Sequence, residues 1–185
     1  MTRESQESQD SEAKQEGSVI IISGPIGAGK TAIAREFIKK PPRPTAYIEG
    51  DVFWSFFVKE KPVPRNEGFR LIMRAMTASA IAYARDGYET VLDFSMPPGF
   101  LGRAFHRFGS IPVHYIVLRP SKETCASRAA ARPLGKIQDY SEYNFFYDLF
   151  NVPDKYLIED DICDAATMAN RIREGIDTDT FLYSA

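Results

Sequence analysis

The segment Gly24-Pro25-Ile26-Gly27-Ala28-Gly29-Lys30-Thr31 concentrates the chemistry of this chain. Its spacing is G-x-x-x-x-G-K-[ST], a loop whose backbone amides cradle a polyphosphate. Glycine lets the backbone turn tightly and come close to the phosphates. A helix that starts directly after the loop adds positive potential at its N-terminus. Lys30 supplies a mobile point charge for the outer phosphates. The Thr31 hydroxyl is a ligand suited to Mg²⁺.

Other residues have types that could complete such a site. Asp93 closes the apolar run Thr90-Val91-Leu92. A second carboxylate for a magnesium shell, acting through water, would stand there; a loop cap is its plainer role. Asp51 ends a second short apolar segment and could accept or orient the proton of an acceptor hydroxyl. The same aspartate could cap the turn through Val52 and Phe53, and the two roles are compatible. Glu49, two residues earlier, shares a strand face with Asp51 and reads more simply as a solvated strand end. Arg128 and Arg132 are four apart, so one helix would present both on one face. Two guanidinium groups so placed can bind phosphate oxygens bidentately, although a solvated cationic face has the same spacing. Lys136 follows in a Pro/Gly loop able to close over the site and exclude water.

These residues need elements to hold them. Val19-Ile20-Ile21-Ile22 reads as a buried strand and Thr31 to Ile38 as a helix, with the loop between them. Pro41-Pro42-Arg43-Pro44 stops that helix. Thr45 to Glu49 is a second strand. Asn66 is a candidate cap for a long helix to about Arg85, with Phe69, Met73, Met76, Ala80 and Ala84 near one face. Glu89 to Phe94 is a third strand, Phe100 to Phe108 a helix, and Pro112 to Leu118 a fourth strand. Ser121 caps a helix expected to reach about Arg132. Asp139 and Glu142 suggest a capping box for a helix to Phe150. Tyr156 to Ile158 is a short fifth strand, and a last helix runs from about Cys163 to Glu174. The segment after Gly175 carries no clear signal.

Strands alternating with helices predict an α/β fold with a five-stranded parallel sheet covered on both faces, a three-layer α/β/α arrangement. Ligands of such folds bind outside the carboxyl ends of the strands. Ser23 and Gly24, Asp51, Asp93 and Ser95, and Arg119 all fall at those ends. Phe53, Trp54, Phe56 and Phe57 could line an acceptor pocket, though core packing is the simpler role for each aromatic. Tyr140, Tyr143, Phe145, Phe146, Tyr147 and Phe150 read as helix packing. His106 and His114 are isolated from any catalytic partner.

The whole chain has 185 residues, is 44% hydrophobic and carries a formal charge of −2, so a single folded domain over 18–185 is expected. Residues 1–17 read as a disordered polar tail without the apolar centre of a signal peptide. The charge argues against a general nucleic-acid binder. No apolar run approaches the roughly 18 residues of a membrane span. Cys125 and Cys163 have no metal-site spacing; one disulfide is open, and reduced thiols in a cytoplasmic protein are the simpler expectation.

Taken together, Gly24 to Thr31, Glu49-Gly50-Asp51, Val91-Leu92-Asp93 and the run from Leu118-Arg119-Pro120-Ser121 through Arg128 and Arg132 resemble the small P-loop kinases. That group includes gluconate kinase, shikimate kinase, chloramphenicol phosphotransferase and the zeta-toxin kinases. The resemblance spans about Val19 to Ile176. It implies P-loop NTPase architecture, ATP with Mg²⁺ as cofactors, and a mobile lid near 132–140. By position, Gly24, Pro25, Ile26, Gly27, Ala28, Gly29, Lys30 and Thr31 would hold the phosphates. Thr31 and Asp93 would address the metal, Asp51 the acceptor, and Arg128 and Arg132 the nucleotide and its transferring charge. The base would lie near Arg128 and Glu159 to Ile162. Where shikimate kinases offer an Asp-x-Asp pair, this chain has Glu49-Gly50-Asp51, and the stretch Phe94 to Leu101 matches no acceptor site of gluconate or shikimate.

The expected function is therefore ATP-dependent phosphoryl transfer to a hydroxyl of a small molecule. The partners expected are a nucleotide and that acceptor, with neither nucleic acid nor membrane. A nucleotide-binding ATPase or switch is the alternative, as is a toxin-like kinase held by a protein partner. A guanine-reading Asn-Lys-x-Asp segment is missing from the sequence.

Overall fold

A computed structural model describes residues 16–58, 64–133 and 135–184. Five strands, β1 (Ser18–Ser23), β2 (Thr45–Glu49), β3 (Glu89–Asp93), β4 (Val113–Leu118) and β5 (Leu157–Ile158), form one sheet in the order β2-β3-β1-β4-β5. Every strand pair is parallel. The register sets Ile22 and Glu49 beside Asp93, so the ends of β1, β2 and β3 are level.

Strand alternation sorts the core into two layers. Val19 and Ile21 face a cluster with Ile72, Met73, Met76, Ala80 and Ala84 of helix α2 (Arg65–Arg85) and Leu101 of α3 (Pro98–Ala104). Ile20 and Ile22 face Ile33, Ala34 and Phe37 of α1 (Lys30–Phe37) and Met168, Ala169, Ile172 and Ile176 of α6 (Ala165–Asp177). Burying each large aliphatic side chain is worth roughly 1.5–3 kcal/mol, so the central strand anchors both layers. A third, smaller cluster joins Cys125 and Ala129 of α4 (Lys122–Ala130) to Tyr140. The helices therefore cover both faces, as the alternation of elements requires.

Several boundaries differ from the sequence reading. Helix α4 is capped by Ser121, whose hydroxyl accepts from Thr124 N, but it ends at Ala130, and Arg132 lies beyond it. The expected sharing of one helix face by Arg128 and Arg132 is thereby corrected. Pro133 disfavours helical backbone in the residue before it, which explains the early stop. The expected helix over 139–150 is a 3-10 turn, Ser141–Tyr143, followed by the short α5 (Asn144–Asp148). Asp139 closes a local turn on Ser141 N at 2.9 Å instead of forming a capping box. Helix α2 starts behind Pro64, with Asn66 inside it. Helix α3 begins at Pro98 and passes into a 3-10 turn at Phe105. Helix α6 is capped by Asp164, which accepts from Ala166 N and Thr167 N, leaving Cys163 outside.

The C-terminal segment, silent in the sequence, completes the sheet. Tyr115 N donates to Phe181 O at 2.9 Å and Tyr183 N to Val113 O at 2.8 Å. Leu182 thus bridges His114 in antiparallel sense, along the half of β4 that two-residue β5 leaves uncovered. Of the expected tail, residues 1–15 lie outside the described residues. Glu16 accepts from the Ser110 hydroxyl at 2.7 Å, and Gly17 N donates to Ala84 O at 2.7 Å. Both cysteines are free thiols, Cys125 buried and Cys163 exposed. No helix among the described residues is long and apolar enough to cross a membrane.

Candidate active site

The loop between β1 and α1 is shaped by backbone constraints. Gly27 has φ 84°, and a Cβ on it would stand 2.1 Å from Cys125 O, so the loop packs backbone to backbone on α4. Gly29, φ 90°, occupies the position before α1 and has Arg128 Nη1 3.8 Å from where its Cβ would be. Only glycine meets both demands at Gly27, the left-handed backbone and the absent side chain. The α1 N-terminus consequently follows the loop directly, with Lys30 and Thr31 in its first turn.

Lys30 Nζ donates to Pro25 O at 2.9 Å. Burial lowers the pKa of its ammonium from the usual lysine value; Asp93 and Asp51 oppose that and Arg132 adds to it. Residues distant from one another in the sequence thus act on one amine. Asp93 is buried at the end of β3. Burial raises its carboxyl pKa, while the Thr31 hydroxyl, Lys30 and the Tyr47 hydroxyl hold it down. Thr31 and Asp93, expected as a pair, stand near enough for the Thr31 hydroxyl to help hold the Asp93 pKa down. Among the described residues no cluster of three or more His, Cys, Asp or Glu could hold a metal by itself.

Asp51 is exposed in a 3-10 turn, Gly50–Phe56, that starts one residue before it and has Glu49 at its cap position without a side-chain cap bond. The capping role considered for Asp51 therefore does not apply, and its negative charge opposes the lowering of the Lys30 pKa. Glu49 is engaged by Arg35 at 3.2 Å. Around this turn the rings meet in pairs: Phe53 with Phe56, Trp54 with Phe57, and Phe69 stacked on Phe94 at 5.0 Å. Phe53, Trp54, Phe57 and Phe69 pack against the core, whereas Phe56 is exposed.

Arg128 Nη2 donates to Asp161 O at 3.2 Å, and the Asp161 carboxylate accepts from Ser121 N at 2.7 Å. The expected neighbours of a base, Arg128 and Glu159 to Ile162, are thus brought together. A depression of about 290 Å³ beside them is lined by Arg119, Ser121, Tyr147, Glu159, Asp160 and Asp161. Arg119 is committed to Glu159 at 2.6 Å. Lys136 and Arg103 are exposed.

Two tyrosines at the site carried no signal in the sequence. The Tyr140 hydroxyl donates to Ile26 O at 2.7 Å, tying the segment after α4 to the phosphate loop. The Tyr47 hydroxyl lies 3.2 Å from Asp93 Oδ2, and burial together with that carboxylate raises its pKa. A tyrosine in a strand reads as packing, so no local pattern marks either as polar site furniture.

Comparison with known proteins bears on the family and the fold. A family profile described as an AAA domain matches residues 19–144. The fold is similar to the tunicamycin resistance protein of Deinococcus radiodurans, at 16% identity over 91% of this chain and 99% of that one, TM-score 0.67. A sugar kinase from Janibacter sp. HTCC2649 is similar at 18% identity, 87% and 95% coverage and TM-score 0.66. The Mycobacterium tuberculosis APS kinase CysC, solved with AMPPNP and APS, is similar at 16% identity, 88% and 98% coverage and TM-score 0.61. No curated protein matches the chain by sequence. The architecture is that of the small P-loop kinases.

Proposed function

The chain belongs to the AAA-domain family, and on that premise we propose that it transfers the γ-phosphoryl group of ATP to a hydroxyl of a small molecule. The observation that carries this reading is the convergence, at one end of the sheet, of the phosphate loop with Lys30 at the start of α1, Asp93 at the end of β3 and Asp51 in the turn that follows β2. Phosphoryl transfer asks for positioned phosphates, cations that follow the moving charge, and a group that addresses the nucleophile. Gly24 to Thr31 bind the phosphates. Lys30 leaves the Pro25 carbonyl for the outer phosphates. Arg128, beside Gly29, and Arg132, in the chain that follows α4, neutralise charge on the transferring group. Asp51 takes or orients the acceptor hydroxyl's proton.

Thr31 and Asp93 are the residues that would hold Mg²⁺. They are hard oxygen donors, one in the first turn of α1 and the other at the end of β3, and magnesium is commonly held by one or two protein oxygens with phosphates and waters completing its shell. When bound, it offsets phosphate charge. The segment near 132–140 acts as a lid over a single domain spanning 18–185. The acceptor is a small molecule rather than nucleic acid, and the setting is the cytoplasm, where both cysteines stay reduced.

The experiment is transfer from γ-labelled ATP with Mg²⁺ to a panel of sugars, sugar acids, nucleosides and aminoglycoside-like alcohols. The expected result is a labelled acceptor that disappears with Lys30→Ala. Tight nucleotide binding with only slow release of labelled inorganic phosphate across the panel would overturn it.

A further inference from the structure

Tyr47 has no part in the transfer as described, yet its hydroxyl stands among the site's carboxylates. It lies 3.2 Å from Asp93 Oδ2 and 3.4 Å from Glu49 Oε2, and Arg35 Nη2 lies 3.2 Å from that same Glu49 oxygen. We propose that Tyr47 is a positioning residue for the cation site, whose hydroxyl fixes the orientation of the Asp93 carboxylate. The proposal rests on Thr31 and Asp93 being the magnesium-binding pair.

The hydroxyl has one proton and two carboxylates compete for it. Arg35 already donates to the Glu49 oxygen that faces Tyr47, which makes Glu49 the poorer acceptor. Asp93 is also nearer. The bond therefore goes to Asp93, and the Arg35–Glu49 pair biases it there.

The strand register makes this reach possible. Tyr47 pairs with Val91 and Glu49 with Asp93, so Tyr47 sits one side-chain step back on the same face. A long rigid ring spans that step, where a serine or threonine would fall short. The ring itself packs against the apolar cluster of α1 and α6. Its hydroxyl is thereby placed in advance, at little cost in side-chain freedom. With one oxygen held by Tyr47, the Asp93 carboxylate no longer turns freely about its terminal bond. Outer partners of this kind orient metal-binding groups, and losing one lowers metal affinity about 10- to 100-fold.

The test titrates Mg²⁺ into the full chain with the non-hydrolysable analogue AMPPNP, following analogue binding by calorimetry. Tyr47→Phe is expected to need about 10-fold more Mg²⁺ for the same enhancement, with AMPPNP affinity in EDTA unchanged. Arg35→Ala is the second arm. Arg35 is 63% exposed, so its loss spares the fold, but it frees Glu49 to draw the hydroxyl from Asp93. A shift in the same direction is expected. A packing role for Tyr47 would leave the Arg35→Ala response untouched. Wild-type metal response in both variants overturns the proposal, and Arg35→Ala decides it should Tyr47→Phe not fold. Mg²⁺-enhanced binding in the wild type with unaltered variants leaves the phosphotransferase reading standing. Wild-type protein that binds no AMPPNP takes both down.

Discussion

Burial pushes Lys30 and Asp93 toward neutrality from opposite sides, Lys30 down and Asp93 up, and their mutual attraction opposes both shifts. Such a pair is suited to receive a polyanion, because the ammonium gains a stronger partner than the Pro25 carbonyl it now holds. Lys30→Ala is expected to lower transfer by about 10²–10³-fold, the usual loss on removing one charge-stabilising donor. Its melting temperature should stay near wild type, which separates lost chemistry from lost fold. Asp51 is exposed and stands outside the phosphate loop. Asp51→Asn is therefore expected to cut kcat by about 10²–10⁴-fold while nucleotide affinity is unchanged. Single-turnover kinetics beside calorimetry check this split; an equal loss of nucleotide affinity would remove Asp51 from the acceptor role.

Among the elements, α4 has the most bearing on the site. Gly27 packs on its backbone, Arg128 leaves it toward Asp161, and Arg132 follows its last turn. Because Arg132 lies beyond the helix, its position depends on the chain that returns from 133 to Tyr140. Tyr140 is 7% exposed, and its hydroxyl ends on the carbonyl of Ile26. Tyr140→Phe is expected to cost about 1 kcal/mol of stability, the net worth of one such bond. It should also weaken nucleotide binding, since the loop carbonyl loses its anchor. Denaturant unfolding and AMPPNP titration test the two halves separately. Weakened binding without loss of stability would mean that the bond acts on the loop alone.

At the scale of the molecule, the ends of the strands opposite the site carry the fold's charged anchor. Glu89, with its side chain 1% exposed, receives a bidentate Arg173 at 2.7 Å in both bonds, and Arg43 lies 3.8 Å away. Arg173→Ala strands a buried carboxylate and is expected to cost about 3 kcal/mol, read by denaturant unfolding. Transfer per folded molecule should be kept, because Glu89 and Asp93 stand at opposite ends of β3. His114 lies in the same layer, and its Nδ1 is without a hydrogen-bond partner. Burial and the cations Arg173 and Arg43 lower its pKa against the pull of Asp179 and Glu89. The unfolded chain then binds a proton near pH 6.5 that the folded chain refuses. This stabilising contribution is present in full above that pH and is lost as pH falls through it toward the lower folded value. Melting temperature should drop over that window, and His114→Gln should flatten the drop; an unchanged slope would show that other groups set it.

The phosphate loop, the two core layers and the carboxylates at strand ends were legible in the amino-acid sequence. They rest on signals confined to a few residues: the continuous apolar run of Val19 to Ile22, the glycine spacing, and the Ser121 cap. What the sequence left open has a common physical character. Helix α4 stops at Ala130 because of the proline that follows Arg132, and the aromatic segment after Tyr140 breaks into short turns that each answer to packing. The C-terminal residues join the sheet only because β5 is too short to cover β4. Tyr47 meets Asp93 across 46 residues, and Tyr140 meets Ile26 across 114. Such contacts leave no local periodicity or cap, since strand order and loop return create them. The sequence by itself determined which groups could do the chemistry; the tertiary structure decided which of them stand together and what holds them there.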